Sequence, residues 1–137
     1  MLSIVIPTLN AAAGLPATLE SVAEGVDDIG KAQIIIADGG STDSTLDLAR
    51  QAGTSIISSE KGRGNQLAAG ADTACSDWLL FIHADTLVQP GGGAEVARFI
   101  EDCPTPGMSS KAAVFRFELD DASFKARVLE TIVAVRT

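Results

Sequence analysis

The sequence predicts an α/β fold in which a mostly parallel sheet is covered by helices on both faces. Short apolar segments rich in β-branched residues alternate with segments that carry apolar residues at helical spacing. The chain has 137 residues, 46% of them hydrophobic, which is enough for the core of one domain over 1–137. The predicted strands lie near 2–6, 33–37, 55–58, 78–83 and 113–119. The predicted helices lie near 15–25, 42–52, 64–75, 93–102 and 122–136.

The first strand and helix are marked by prolines. Pro7 lacks a ladder donor and, together with the turn-forming Asn10, predicts the end of the strand 2–6. Pro16 suits the first turn of a helix, and Leu19 and Val22 follow it at helical spacing.

The second strand ends in an acidic, glycine-rich segment. The apolar run 34–37 is followed by Asp38-Gly39-Gly40-Ser41-Thr42-Asp43. In an open α/β sheet, ligands bind at the carboxyl ends of strands, so Asp38 is a candidate for hydrogen bonding to a base or a ribose. The alternative is an ordinary strand-to-helix turn in which Ser41 or Thr42 caps the next helix.

The third predicted helix begins with Lys61-Gly62-Arg63-Gly64. The two cations suit the diphosphate of a nucleotide at a helix N-terminus, and the glycines permit close backbone approach. A glycine-rich turn with two solvated cations is the alternative, and the pattern of a P-loop is absent. Small and apolar residues give this helix a face for close packing, namely Leu67, Gly70, Ala71 and Ala74.

The fourth strand has the continuous apolar character of a strand buried on both faces, in Trp78-Leu79-Leu80-Phe81-Ile82. His83-Ala84-Asp85-Thr86 follows it. Asp85 lies in a turn and can reach a cation without burying its charge. His83, the only histidine, is either a hydrogen-bonded core group or a ligand, and imidazole suits Mn²⁺ better than Mg²⁺.

Charge and composition exclude several classes of partner. The net charge is -8 and the pI is about 4.4, which argues against nucleic acid or an anionic membrane as the main partner. No apolar run approaches the ~20 residues needed to span a bilayer. Cys75 and Cys103 show no metal-ligand spacing, and without a signal peptide we expect free thiols in the cytoplasm, with peripheral membrane association left open.

Three motifs in this order, 3–10, 37–43 and 83–86, resemble those of family 2 glycosyltransferases of the GT-A fold. The chain looks closest to the radical-SAM/selenodomain-associated transferase subgroup. It departs from the wider family at Gly39, where many members carry a second acidic residue. It also departs at His83, where many carry the first aspartate of a metal-binding Asp-x-Asp motif.

The resemblance implies a GT-A, Rossmann-like fold and transfer of a sugar from a nucleotide-diphosphate-sugar donor to an acceptor hydroxyl, with inversion. The acceptor would be a saccharide, a lipid or a small molecule, and the oligomeric state stays open. A divalent metal, Mn²⁺ or Mg²⁺, would be held by Asp85, with His83 as a second candidate, and would neutralise charge on the leaving group. The donor would be bound by Pro7, Thr8, Asn10, Asp38, Gly40, Lys61, Arg63, Ala84 and Asp85.

The general base of the reaction is the part of the resemblance for which the chain offers no match. None of Glu118, Asp120 and Asp121 matches the family's acidic motif, and the last predicted helix runs to the C-terminus without a glycine or proline stop. We therefore expect a donor-binding portion of a longer transferase, with the base beyond Thr137.

Three other functions compete with this interpretation. A haloacid-dehalogenase-type phosphatase would need an aspartate at the position of His83, on the first strand. A dinucleotide-dependent oxidoreductase would need Gly-x-Gly-x-x-Gly after the first strand, where the sequence is Pro7-Thr8-Leu9-Asn10-Ala11-Ala12. A noncatalytic nucleotide-binding module stays open as the alternative.

Overall fold

The computed structural model describes residues 1–103 and residue 113, and the first of these ranges forms a parallel sheet flanked by helices. The strands are β1 (Leu2–Thr8), β2 (Ala32–Asp38), β3 (Ser55–Ser58) and β4 (Trp78–Phe81). The helices are α1 (Leu15–Ile29), α2 (Thr45–Gln51), α3 (Arg63–Thr73) and α4 (Gly92–Glu101). The predicted strand 113–119 and helix 122–136 lie, Ala113 apart, outside the described residues.

The sheet has the order β3-β2-β1-β4, and every neighbouring pair is parallel. The chain therefore builds outward from β1 through β2 to β3 and then crosses back to place β4 on the other side of β1. This reversal creates a topological switch point between β1 and β4. Ligands of open α/β sheets bind in the crevice outside the carboxyl ends of the strands at such a point.

Helices cover both faces of the sheet, as predicted. Side chains of β1 alternate between the faces, so Ile4 and Ile6 pack with Leu15 and Leu19 of α1 on one side. On the other side Val5 belongs to a second cluster, against which Leu67 and Ala74 pack from α3 and its end. The sequence prediction of the α/β layers is confirmed.

The small-residue face of α3 lies directly against the sheet. A Cβ added at Gly70 would overlap the Val5 side chain, so the helix can approach β1 at this distance only with glycine there. The predicted role of this face in close packing is confirmed.

Strand β1 continues through Pro7, where the sequence predicts its end. Pro7 pairs with Ala37 of β2, whereas the pairing with β4 stops at Val5. The amide of Ile82 donates to the Val5 carbonyl, so the polar groups of Val5, and of Pro7 two residues on, face the β4 side. Because β4 ends before it reaches Pro7, an N–H group at this position would have no partner in the sheet, so proline removes no ladder hydrogen bond.

Helix α2 begins three residues later than predicted, and neither Ser41 nor Thr42 caps it. The residue before its first turn is Ser44, whose side chain makes no capping hydrogen bond. The hydroxyl of Ser41 is used instead within the loop that follows β2, where it bonds to Asp38. The alternative in which Ser41 or Thr42 caps the helix is thus excluded, because the helix begins later and the Ser41 hydroxyl bonds within the loop.

The prediction that β4 is buried on both faces was also wrong, and the strand ends at Phe81 instead of reaching residue 83. Leu79 is 40% exposed and Phe81 47% exposed, whereas Trp78 and Leu80 pack against the core of the α1 face. Helix α3 packs over β1 and β2, so it leaves the other face of β4 uncovered within the described residues.

None of the helices in the described part of the chain combines the length and the apolar character needed to cross a bilayer.

Candidate functional site

An open cleft of about 510 Å³ lies at the carboxyl ends of the strands, at the switch point between β1 and β4. Its walls come from the loop after β1, the loop between β3 and α3, and the loop after β4. Eight of the predicted site residues line it: Pro7, Thr8, Asn10, Lys61, Arg63, His83, Ala84 and Asp85. The structure thus brings together residues that are up to 78 positions apart in the sequence, Pro7 and Asp85 being the outermost of them.

Asp38, the last residue of β2, directs its carboxylate into its own loop. It is 3% exposed and accepts hydrogen bonds from the Thr8 hydroxyl at 2.9 Å and from the amides of Gly40 at 2.9 Å and Ser41 at 2.8 Å. The Ser41 hydroxyl is a fourth donor. A carboxylate has about four lone-pair sites, so Asp38 is saturated. Asp38 and Gly40 do not line the cleft, and their contact with a nucleotide stays a prediction.

The ionisation of Asp38 reflects this loop. Burial raises the pKa of the carboxyl, but the hydrogen bonds from the Ser41 hydroxyl and amide, from Thr8 and from the Gly40 amide outweigh it. The pKa therefore lies below the ordinary value of 3.8. The charged carboxylate of Asp38 therefore connects the end of β2 to the end of β1 through its hydrogen bond with Thr8.

Asn10 connects the loop after β1 to the loop after β2. Its backbone N–H donates to the Ser41 hydroxyl at 2.8 Å, and its side-chain Oδ1 accepts from the backbone N–H of Thr42 at 2.8 Å. Asn10 is also the one non-glycine residue among those described with a left-handed backbone, at φ 51°. Asparagine tolerates this conformation better than most residues because its short polar side chain can bond locally.

Asp43 ties the same two loops together from the other side. Its carboxylate accepts from the amide of Ala12 at 3.1 Å and from the amide and hydroxyl of Thr45, and the hydrogen bond from the Thr45 hydroxyl is the main reason that its pKa is lowered. Asp43 thus supports the turn that follows β2. One wall of the cleft is therefore held in place by hydrogen bonds between the loops.

Two substitutions at Asn10 distinguish the energetic cost of its left-handed backbone from the contribution of its side-chain hydrogen bonds. Asn10→Gly and Asn10→Ala both remove the side-chain acceptor, but only alanine has a Cβ that disfavours φ 51°. We expect Asn10→Ala to lower the free energy of unfolding by about 2 kcal/mol and Asn10→Gly by about 1 kcal/mol, measured by urea unfolding. Equal losses in the two variants would show that the left-handed backbone carries no strain.

The cations Lys61 and Arg63 flank the start of α3 at the cleft. Gly62 precedes the helix with φ 137°, a conformation that favours glycine, and no side chain caps this helix end. The ion pairs of the described residues are Arg50 with Asp47 and Arg98 with Glu95. Lys61 and Arg63 are thus exposed cations with no carboxylate partner among the described residues, beside free amides of a helix N-terminus.

The loop after β4 presents His83 and Asp85 to the cleft, both of them exposed. Exposure excludes the core-group alternative for His83. The Thr86 amide donates to the His83 carbonyl at 3.1 Å, which closes a turn around Asp85. A Cβ at Gly14 would lie 2.9 Å from the Ala84 carbonyl oxygen, so this loop packs closely against the residue that precedes α1.

These residues fit a divalent cation only if the ligand supplies most of its coordination. No group of three or more His, Cys, Asp or Glu side chains able to hold a metal occurs in the described part of the chain. Mg²⁺, and by the same chemistry Mn²⁺, is commonly bound through one or two protein carboxylates plus phosphate oxygens and water. Asp85, with His83 close by in the same turn, is compatible with that kind of site.

Sequence reasoning missed several cleft residues, among them Leu9, Gly14 and Gln66. Gln66 is the most informative of them, since it is 5% exposed and bonds to backbone carbonyls of two strands. A polar residue on the sheet-facing side of a helix is the signal that could have identified it.

Comparison with protein families gives one match that covers most of the chain. The family described as "Glycosyl transferase family 2" matches residues 3–107. A curated relative, the PGL/p-HBAD biosynthesis glycosyltransferase of Mycobacterium bovis, is 35% identical over 153 aligned positions. The alignment includes 99% of this chain and 59% of the relative, so the chain spans about three fifths of the relative's length.

Solved structures share the fold. Glucosyl-3-phosphoglycerate synthase from Mycobacterium tuberculosis, in complex with Mn²⁺, UDP and glucosyl-3-phosphoglycerate, has 27% identity and a TM-score of 0.53, over 61% of this chain and 33% of that one. S. aureus TarS 1-349 in complex with UDP-GlcNAc has a TM-score of 0.65 at 21% identity, over 74% of this chain and 31% of that one. The second likeness shows the fold alone.

Proposed function

Because the chain belongs to glycosyl transferase family 2, we propose that its cleft binds a nucleoside-diphosphate sugar and that the protein transfers the sugar to an acceptor hydroxyl. The chain spans only part of its curated relatives, so the activity of the whole protein is part of the proposal. We also propose that it belongs to the radical-SAM/selenodomain-associated subgroup, on the resemblance of its three motifs at 3–10, 37–43 and 83–86.

One observation carries the proposal. The cleft joins two cations that have no carboxylate partner among the described residues, together with a helix N-terminus, to an exposed carboxylate and an imidazole on the other side. The first set suits a diphosphate, and the second would hold a divalent cation that accompanies it. In a chain of net charge -8, positive charge at this position indicates an anionic ligand.

The chemistry follows from what these residues can do. Lys61 and Arg63 attract the diphosphate and stabilise the negative charge that grows on it as the sugar leaves. Asp85 would hold the divalent cation, with His83 as a second ligand, and this cation supplies Lewis-acid stabilisation of the leaving group. The hydrogen-bonded loop at Asn10 keeps its wall of the cleft rigid, so the donor is oriented at little entropic cost. A single displacement by the acceptor would invert the anomeric centre.

The base that deprotonates the acceptor is assigned to no described residue. We propose that 1–137 is a donor-binding domain and that the base and the acceptor site lie beyond Thr137. Glu118, Asp120 and Asp121 lie outside the described residues. We also propose a cytoplasmic location, where the exposed thiol of Cys75 would stay reduced.

A noncatalytic nucleotide-binding module is the second candidate, because the same cleft would serve it. General-base assistance is typically worth 10²- to 10⁴-fold, so a chain that binds a donor but lacks the base would transfer poorly. Binding measurements test the site, and transfer assays separate the two candidates.

A thermal-shift panel of UDP-, GDP-, dTDP- and CDP-sugars, with and without Mn²⁺, tests the proposed function. A ligand at 100 times its Kd stabilises the native state by about 2.7 kcal/mol. We expect a rise of several degrees in Tm with at least one donor and a larger rise with Mn²⁺. As the matched control, the Tm of a Lys61→Ala, Arg63→Ala double variant should not change when a donor is added. No shift with any donor would contradict the proposal.

A further inference from the structure

Gln66, in the first turns of α3, makes two hydrogen bonds that fix the orientation of its side-chain amide. Its Nε2 donates to the carbonyl of Thr8 at 2.6 Å and to the carbonyl of Ala37 at 2.9 Å. Both partners are acceptors, so the nitrogen must face them and both of its hydrogens are used. Gln66 is 5% exposed, and it joins the ends of β1 and β2 from below the cleft.

The other half of the amide is unused by the described residues. None of their donors bonds to Oε1, although Gln66 lines the cleft. In the described part of the chain the buried side-chain polar atoms without a partner do not include Oε1 of Gln66, which agrees with an oxygen that faces the cleft lined by Gln66. The side chain is therefore a nearly buried, rigid acceptor facing a ligand site.

Gly39 makes room for this arrangement. A Cβ built on Gly39 would lie 3.1 Å from the side-chain amide carbon of Gln66 and 3.3 Å from Oε1. Any side chain at position 39 would therefore push against the amide of Gln66. Gly39 and the buried Gln66 therefore form one structural unit. Many related transferases carry an acidic residue at the position of Gly39.

The position of Gln66 and the chemistry of its oxygen together indicate which part of a nucleotide would meet Oε1. The groups suited to a diphosphate and its cation include Asp85 in the loop after β4. Gln66 bonds instead to the ends of β1 and β2, and β1 separates β2 from β4. Lys61 and Arg63 lie at the start of α3, the helix that carries Gln66, so the diphosphate lies between this helix and the loop after β4. Phosphate oxygens are acceptors like Oε1, so the partner of Oε1 is an N–H or O–H group of the nucleoside or the sugar.

We propose that Gln66 is a specificity-determining residue whose Oε1 accepts a hydrogen bond from a ring N–H of the donor's base. This inference rests on the proposed function and narrows it. Uracil, thymine and guanine carry such an N–H, whereas cytosine presents a ring acceptor at the same edge. Two acceptors would then face each other, so a cytidine nucleotide is disfavoured.

The test uses the whole 137-residue chain and calorimetric titration with UDP, dTDP, GDP and CDP. The tightest of them is then compared with its base-N-methylated form, for instance N3-methyl-UDP, and with its 2′-deoxy form. Wild type should bind the methylated nucleotide at least about tenfold more weakly, because the methyl group replaces the donated hydrogen. Gln66→Met should bind both forms with similar affinity.

Two further variants keep the result interpretable. Gly39→Ala, at a backbone conformation that alanine accepts, should reduce the methylation effect by displacing the amide while leaving its hydrogen bonds to β1 and β2 possible. Gln51→Met, the same change at an exposed position on α2, should leave it intact. If Gln66→Met does not fold, Gly39→Ala decides.

Several outcomes would overturn the assignment. CDP could bind most tightly, or wild type could bind the methylated nucleotide as tightly as the unmethylated one. The full effect of methylation could persist in both Gln66→Met and Gly39→Ala. A loss of affinity on 2′-deoxygenation that disappears in Gln66→Met would move the contact to the ribose. Binding that is insensitive to Gln66 removes this inference alone. Absence of binding by every nucleotide removes the proposed function with it.

Discussion

Asp85→Asn is expected to abolish the strengthening of nucleotide binding by Mn²⁺ without lowering the thermal stability of the free chain. Asp85 is exposed and makes no side-chain hydrogen bond to the described residues, so the fold does not depend on its charge. Among the described residues, Asp85 is the one carboxylate that lines the cleft. A metal shared between one carboxylate and a diphosphate loses its only anionic protein ligand in this variant.

The size of this effect is measured by titrating a nucleoside diphosphate with and without Mn²⁺. We expect wild type to gain about tenfold or more in affinity from the metal and Asp85→Asn to gain almost nothing. Asp77→Asn is a matched control, because Asp77 is an exposed carboxylate just before the opposite end of β4. His83→Ala should have a smaller effect. Equal gains in wild type and Asp85→Asn would remove Asp85 from the site.

Asp38→Asn is expected to destabilise the fold by about 2 to 4 kcal/mol, because it replaces a buried carboxylate that accepts four hydrogen bonds. The amide nitrogen of asparagine would face donors, which leaves at least one of them unpaired. The change should also weaken nucleotide binding to the same degree with and without metal, since Asp38 fastens Thr8 at the edge of the cleft. Urea unfolding at pH 7 measures the first effect, with Asp47→Asn, an exposed residue of α2, as the control.

The pH dependence of stability gives an independent check on Asp38. Its pKa in the folded protein lies below 3.8, so the folded state favours the charged form more than the unfolded state does. The stabilisation is fully present above the unfolded pKa and is lost as the pH falls through the folded pKa. Wild type should therefore lose stability in acid more steeply than Asp38→Asn. If wild type and Asp38→Asn lost the same amount of stability as the pH falls, the charged carboxylate would not be stabilised by its loop.

The order of strands and helices was predictable because hydrophobic periodicity and turn residues are local signals. Strand 55–58 and the α3 region were located to within a residue or two, and Gly70 was expected in a close-packed face. Eight of the residues that line the cleft were also among the predicted site residues, and they lie together because the carboxyl ends of parallel strands meet at one edge.

Tertiary contacts account for what the sequence could not reveal. Asp38 lies in a segment typical of a ligand-facing strand end, but its carboxylate accepts hydrogen bonds from Thr8, Gly40 and Ser41 instead. The role of Gln66 depends on α3 lying under the ends of two strands that are distant in sequence. Phe81 is apolar and exposed because α3 packs over β1 and β2 and not over β4.

The position of a bound nucleotide tests the central claim most directly. A crystal structure of the chain with Mn²⁺ and its tightest nucleoside diphosphate should place the diphosphate between Lys61, Arg63 and Asp85, with the base toward Gln66. The nucleotide in the apolar groove between α1 and α2, lined by Leu19 and Leu48, would contradict the account, as would phosphates in the cleft that touch neither the cations nor Asp85.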